Sequence, residues 1–139
     1  MMKKFQINER VRWRDCDPTG IILYAAYFRF FEIGEVELFR AAGIPQYRLS
    51  EEHNLWFPRV STHADFYKPA LLDDELEIAV KVGKLGGASF RLEYEIRKRG
   101  EDTLLAEGYT VIATVNKQTF KAVRMPEEIR EGLRGYLDT

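Results

Sequence analysis

Cysteine is almost absent from this chain: Cys16 is the single one in 139 residues, which excludes an intramolecular disulfide and a cysteine-rich metal site. Histidine is nearly as scarce. His53 and His63 stand alone, without metal-ligand spacing or a cysteine cluster, so neither a metal site nor a cofactor motif is expected. An excess of one charge is missing too: 21 Lys and Arg against 22 Asp and Glu give a formal net charge of -1. Nothing therefore draws the chain as a whole to nucleic acid or to an anionic membrane. Long apolar runs are also lacking. The start Met1-Met2-Lys3-Lys4-Phe5-Gln6-Ile7-Asn8 has lysines without an apolar core of signal-peptide length, and no segment has the hydrophobic length to span a bilayer. A cytoplasmic protein with no nucleic-acid or membrane partner is the expectation.

What the chain does have is apolar and aromatic mass, 45% and 13% of its residues, enough for one proper core over residues 1–139. Apolar residues alternate from Phe5 through Ile7 and Val11 to Trp13, which predicts a half-buried strand. Residues 24–42 change to helical spacing, with Tyr27, Phe30, Phe31, Leu38 and Phe39 spread around more than half the circumference, and Gly43 and Pro45 supply the stop. A helix that apolar needs a sheet around it. A short helix is expected over residues 46–53, and then strands over residues 59–67, 76–82, 90–97 and 104–115, the last with a bulge near Gly108 or burial on both faces. A further strand over 119–123 and a helix from Pro126 complete the chain. The expected class is α+β, an antiparallel sheet wrapped around one central helix. The uncovered sheet face or edge strand calls for a two-fold partner with a continuous sheet.

The chemistry points to the run Asp15-Cys16-Asp17-Pro18-Thr19-Gly20-Ile21-Ile22-Leu23-Tyr24. It sets carboxylates beside the free N–H groups of a helix start, a pairing suited to attack on a carbonyl whose oxygen those groups can hold. If the strand alternation persists, Asp15 and Asp17 face inward with Trp13 while Cys16 points away. Spacing alone leaves two readings open: a general base or nucleophile, or a residue that only satisfies turn and helix-start N–H groups.

That run, followed by Tyr27 and an aromatic helix, resembles the hot-dog-fold acyl-CoA thioesterases, most closely the 4-hydroxybenzoyl-CoA thioesterase branch. The resemblance extends to Phe66-Tyr67-Lys68-Pro69-Ala70 and to the hairpin after Lys84. It implies hydrolysis of acyl-CoA, with Asp17 catalytic, the Tyr24 backbone N–H as the oxyanion donor, and no cofactor. It also implies a homodimer with sites at the subunit interface, often paired into a homotetramer. Where that branch has a basic cluster, this chain reads Leu85-Gly86-Gly87-Ala88; Lys84, Arg91 and the Arg97-Lys98-Arg99 run are candidate phosphate-binding cations in its place, each also readable as solvated strand surface, with Ser89 as a further substrate contact.

Two rival functions stay open at this point, a thioesterase acting on acyl groups of a carrier protein and a non-catalytic acyl-CoA-binding module. Glu32 and Glu35 are read as part of the polar stripe of the helix with Arg29 and Arg40, although another branch of the fold has its catalytic carboxylate there. Trp13, Leu23, Tyr27, Trp56 and Phe57 are candidates to line an acyl pocket.

Overall fold

The computed structural model describes residues 2–138. Strand β1 (Phe5–Arg10) is shorter than its alternation suggests. Beyond Arg10, Val11 exchanges backbone bonds with Asp73 and Asp74, and the chain tightens into a 3₁₀ turn, Trp13–Asp15, in which the Asp15 carboxylate accepts the Arg12 N–H at 2.9 Å. A turn with three residues per revolution breaks the two-residue period. Trp13 is consequently turned outward, 64% exposed, instead of facing inward with Asp15.

Helix α1 (Tyr24–Ala41) buries Tyr27, Phe30, Phe31, Leu38 and Phe39. Its Gly34 is a close-approach residue: a Cβ there would lie 2.8 Å from Val80 Cγ2 and 3.0 Å from Ile78 Cγ2. The helix ends where Gly43, at φ +78°, reverses the chain and Ile44 N–H returns to the Phe39 carbonyl at 2.9 Å. Helix α2 (Gln46–His53) follows, then the two-residue strand β2 (Leu55–Trp56) and the long strand β3 (Arg59–Phe66).

The meander β4 (Glu75–Leu85), β5 (Ser89–Lys98) and β6 (Leu104–Ala113) supplies most of the sheet. All its pairings are antiparallel, and the order across the sheet is β1-β4-β5-β6-β3. The inward row Leu76, Ile78, Val80, Val82 and the row Phe90, Leu92, Tyr94, Ile96 are buried against α1, with Phe31 stacked on Tyr94 at 4.4 Å. Register at Gly108 is continuous, so no bulge lies there. A Cβ at Gly108 would instead strike the Phe31 ring and the His63 carbonyl, which accounts for the missing side chain. The irregularities fall at Val82/Lys84, around Gly83, at Ile96/Arg97 and at Arg59/Ser61.

After β6 the short strand β7 (Val115–Asn116) pairs with β2. The expected strand over 119–123 is reduced to one bridge, Val115↔Ala122, because Asn116 captures the turn N–H groups of Gln118 and Thr119. Helix α3 (Glu127–Arg134) buries Ile129 and Leu133 and closes the far end of the core. Strand β3 occupies one sheet edge and is exposed along almost its whole length. Among the described residues, no helix is long and apolar enough to cross a membrane.

Candidate active site

The 15–23 loop is a small ladder folded on itself. Leu23 N–H donates to the Asp15 carbonyl at 2.8 Å, Cys16 bridges Ile22, and Asp17 N–H donates to Ile21 at 2.9 Å. Its tip is held against the 70–72 segment by Ile22 N–H to Ala70 and Leu72 N–H to Gly20. Helix α1 starts directly from this ladder, with Leu23 as an N-cap that offers no side-chain acceptor and no acid in the first turn. Among the described residues, the Tyr24 and Ala25 N–H groups have no acceptor. These free donors carry the positive end of the helix dipole.

The two aspartates are in different situations. Asp15 is 1% exposed, and both its oxygens are engaged by Arg29, through Nε at 2.8 Å and a terminal nitrogen at 2.7 Å. Burial alone would raise the proton affinity of Asp15, but the Arg29 hydrogen bonds and charge and the Arg12 N–H hold its carboxyl below the usual range. Buried and paired with Arg29, the Asp15 carboxylate is closed off from solvent. Asp17 is half-buried and uses one oxygen, Oδ1, to accept the Thr19 hydroxyl at 2.5 Å and the Thr19 N–H at 2.8 Å. Those bonds, with a smaller contribution from the Ile21 backbone, lower the proton affinity of Asp17, and both Thr19 bonds fall on Oδ1 and not on Oδ2. Cys16 between them is pushed the other way, by burial and by the charges of Asp15, Asp17 and Asp73, which favours the protonated thiol.

Beside the helix start lies a groove of about 270 Å³ lined by Ile22, Tyr24, Tyr27, Phe66, Tyr67, Lys68 and Pro69. Tyr27 stacks on Phe66 at 5.2 Å and donates its hydroxyl to the Lys68 carbonyl, which leaves an aromatic wall without a free polar group of its own. Tyr24 is 72% exposed at its mouth. Of the five residues expected to line an acyl pocket, Tyr27 alone borders this groove. Trp13 and Leu23 are exposed elsewhere on the loop; Trp56 lies under the Lys117 ammonium and Phe57 packs on Phe39 in the core.

The substrate-binding candidates lie elsewhere. Tyr24 packs near Phe66, whose sheet level is Ala106 and Ile96, whereas Lys84 and Ser89 belong to the β4–β5 hairpin on the level of Ile112 and Arg59. The chain thus holds Asp17 and this hairpin at opposite ends of the sheet. Arg91 faces the outer surface, its guanidinium 3.9 Å from the centre of the Tyr109 ring and its Nε 3.1 Å from a Glu93 oxygen. It borders a separate hollow of about 580 Å³ with Lys81, Glu93, Glu95 and Tyr109.

Glu35 is not part of an exposed stripe. It is 2% exposed and bound to Arg59 from β3 and to Gln46 Nε2, while Glu32 is exposed. His53 lies 3.1 Å from Glu128, and with Glu52 these form the one group among the described residues near enough to share a metal ion. Arg48, 3.1 Å from Glu128, already supplies the positive charge there. His63 stacks on Tyr109. Neither histidine is near the loop.

Local spacing did not reveal Arg29, Arg124 or Arg130. Arg130 donates to the Gly86 carbonyl and keeps its Nε buried without an acceptor among the described residues, and Arg124 reaches within 3.9 Å of where a Gly87 side chain would start. Thr19 was legible in principle, since an Asp-x-Thr turn is a local signal.

The chain as a whole is similar to known proteins. An acyl-CoA thioesterase of Haemophilus influenzae, YbgC, is 31% identical over 127 residues, covering 91% of this chain and 91% of the relative. The 4-hydroxybenzoyl-CoA thioesterase of a Pseudomonas species is 26% identical over 138 residues, covering 94% of this chain and 98% of the relative. The crystal structure of a 1,4-dihydroxy-2-naphthoyl-CoA thioesterase from Synechocystis superposes with a TM-score of 0.88 at 17% identity, over 95% of this chain and 96% of that one. The sheet wrapped around α1 is accordingly the hot-dog fold. Together with a family model described as thioesterase-like superfamily that matches residues 11–133, these likenesses establish that the chain belongs to that superfamily.

Proposed function

We propose that this chain is an acyl-CoA thioesterase in which Asp17 is the general base or nucleophile and the uncapped start of α1, at Tyr24, binds the oxyanion. The observation that carries the reading is the pairing of an ionised Asp17 with one committed oxygen and a helix start whose N–H groups have no acceptor. In the base route, Asp17 takes a proton from water as its oxygen bonds to the thioester carbon. The C–S electrons then leave on the thiolate, which is reprotonated. In the nucleophilic route, a carboxylate oxygen forms the bond, thiolate departs, and water cleaves the resulting anhydride.

The working form in this reading is a homodimer, assembled further into a tetramer. Support comes from the exposed edge strand β3 with Val60 and Phe66 uncovered. Antiparallel pairing of β3 with its copy would bring the partner's hairpin towards the Asp17 end. Lys84, Ser89 and Arg91, with Arg124 and Arg130 beside the same turn, would then be available to the nucleotide phosphates of acyl-CoA. A cytoplasmic setting agrees with the free thiol of Cys16.

The test is hydrolysis of a panel of acyl-CoA thioesters, followed as free thiol, by wild type and Asp17→Asn. Turnover by wild type and its loss in the variant are expected. Equal rates would remove Asp17 from the mechanism. Binding without turnover would favour the acyl-CoA-binding module, and preference for the same acyl group on carrier protein would favour that rival substrate.

A further inference from the structure

We infer that Arg29 is a positioning residue which, through Asp15, sets where Asp17 stands relative to the Tyr24 N–H. The inference rests on the thioesterase reading above. Within the loop, the hydrogen bonds run between its own two strands and to the 70–72 segment, and these would allow the ladder to tilt as a unit against α1. Among the described residues, the side-chain link from the ladder to the body of the helix is the Asp15–Arg29 pair, beside the backbone bond of Ala26 N–H to the Leu23 carbonyl at the helix start. Arg29 is more than one turn inside α1, and its guanidinium fork meets both oxygens of Asp15 at 2.8 Å and 2.7 Å. A bidentate pair fixes angle as well as distance. The guanidinium is itself steadied by the Phe30 ring, 4.7 Å from its centre.

Both catalytic elements hang from Asp15. Its carbonyl accepts the N–H of Leu23, the residue before the first helical one, and its side chain accepts the Arg12 N–H where the chain enters the turn. Asp17 is the next rung of the same ladder. Displacing Asp15 would therefore move the carboxylate and the helix start relative to each other, and misplacement by about 1 Å is enough to slow an oriented reaction by about a hundredfold. Stability by itself does not explain the pair, because a buried ion pair is commonly no better for folding than a neutral replacement of the same volume.

The experiment compares Arg29→Lys, which keeps the charge and loses the fork, with the double variant Asp15→Asn/Arg29→Met, which removes the buried charge and leaves an acceptor for Arg12. Circular dichroism and a thermal melt establish the folded fraction, and kcat and KM for one acyl-CoA are measured per folded molecule. The expected result is a kcat lower by about tenfold in Arg29→Lys and about a hundredfold in the double variant, with KM within about twofold of wild type. Wild-type kcat in either folded variant, or a change confined to KM, would overturn the inference. If the double variant does not fold, Arg29→Lys decides alone. Asp17→Asn assayed in parallel separates the two readings: full activity there removes the thioesterase mechanism itself, whereas a dead Asp17→Asn beside fully active Arg29 variants removes only the positioning role.

Discussion

The hydroxyl of Thr19 and the carboxylate of Asp17 are 2.5 Å apart, and the Thr19 N–H reaches the same Oδ1 at 2.8 Å. One oxygen of the proposed catalytic group is thereby held in place and the other left to react. The bonds are made to the ionised form, so they depress the proton affinity of Asp17.

The sign of that effect determines a pH dependence. If Asp17 acts as proposed it must be ionised, so the acid limb of kcat/KM in wild type is expected below the ordinary carboxylate range. Thr19→Val keeps the N–H and removes the hydroxyl, so the acid limb is expected to move to higher pH, and Thr19→Ser to restore it. The profile of kcat/KM against pH measures this. A limb that does not move in Thr19→Val would show that the hydroxyl has no hold on Asp17.

Gly34 offers a packing test away from the site. Alanine is favoured over glycine within a helix by about 1 kcal/mol. Here the new methyl would lie 2.8 Å from Val80 Cγ2 and 3.0 Å from Ile78 Cγ2, on buried strand residues that cannot withdraw. Overpacking of this kind costs about 1–3 kcal/mol. Gly34→Ala is expected to lower the denaturant midpoint in equilibrium unfolding, and a raised midpoint would mean that α1 can move off β4.

The Tyr94 hydroxyl is buried and, among the described residues, has no hydrogen-bond partner in good geometry, with the Thr110 side chain beside it. Desolvation without compensation is unfavourable, so Tyr94→Phe should stabilise the fold by about 1 kcal/mol, or roughly 2–4 °C in Tm for a chain of this size. A thermal melt checks it. A lower Tm would reveal a partner for that hydroxyl in solution.

Much of the architecture was legible because it depends on short-range periodicity. The alternation of Phe90, Leu92, Tyr94 and Ile96 and the helical spacing of Phe30, Phe31, Leu38 and Phe39 state which face is apolar, and burial against a partner surface follows. Gly43 and Pro45 marked the end of α1 within one residue of its observed position. The same reasoning failed at Trp13, where a side-chain cap from Asp15 converts the strand into a turn. It failed again over 119–123, where Asn116 organises a loop in place of a strand.

The sequence by itself determined the alternating strands, the aromatic central helix and the acid-turn-helix order that joins Asp17 to Tyr24, because these are relations between neighbours along the chain. Tertiary structure alone decided which aspartate is neutralised, since Arg29 reaches Asp15 only once α1 has folded back over the loop. It also decided that Glu35 is buried with Arg59, and that Lys84 and Ser89 stand at the opposite end of the sheet from Asp17. Those outcomes depend on charges and hairpins brought together by the winding of the sheet around α1. Periodicity reports which face a residue shares, but not which distant residue it will meet there.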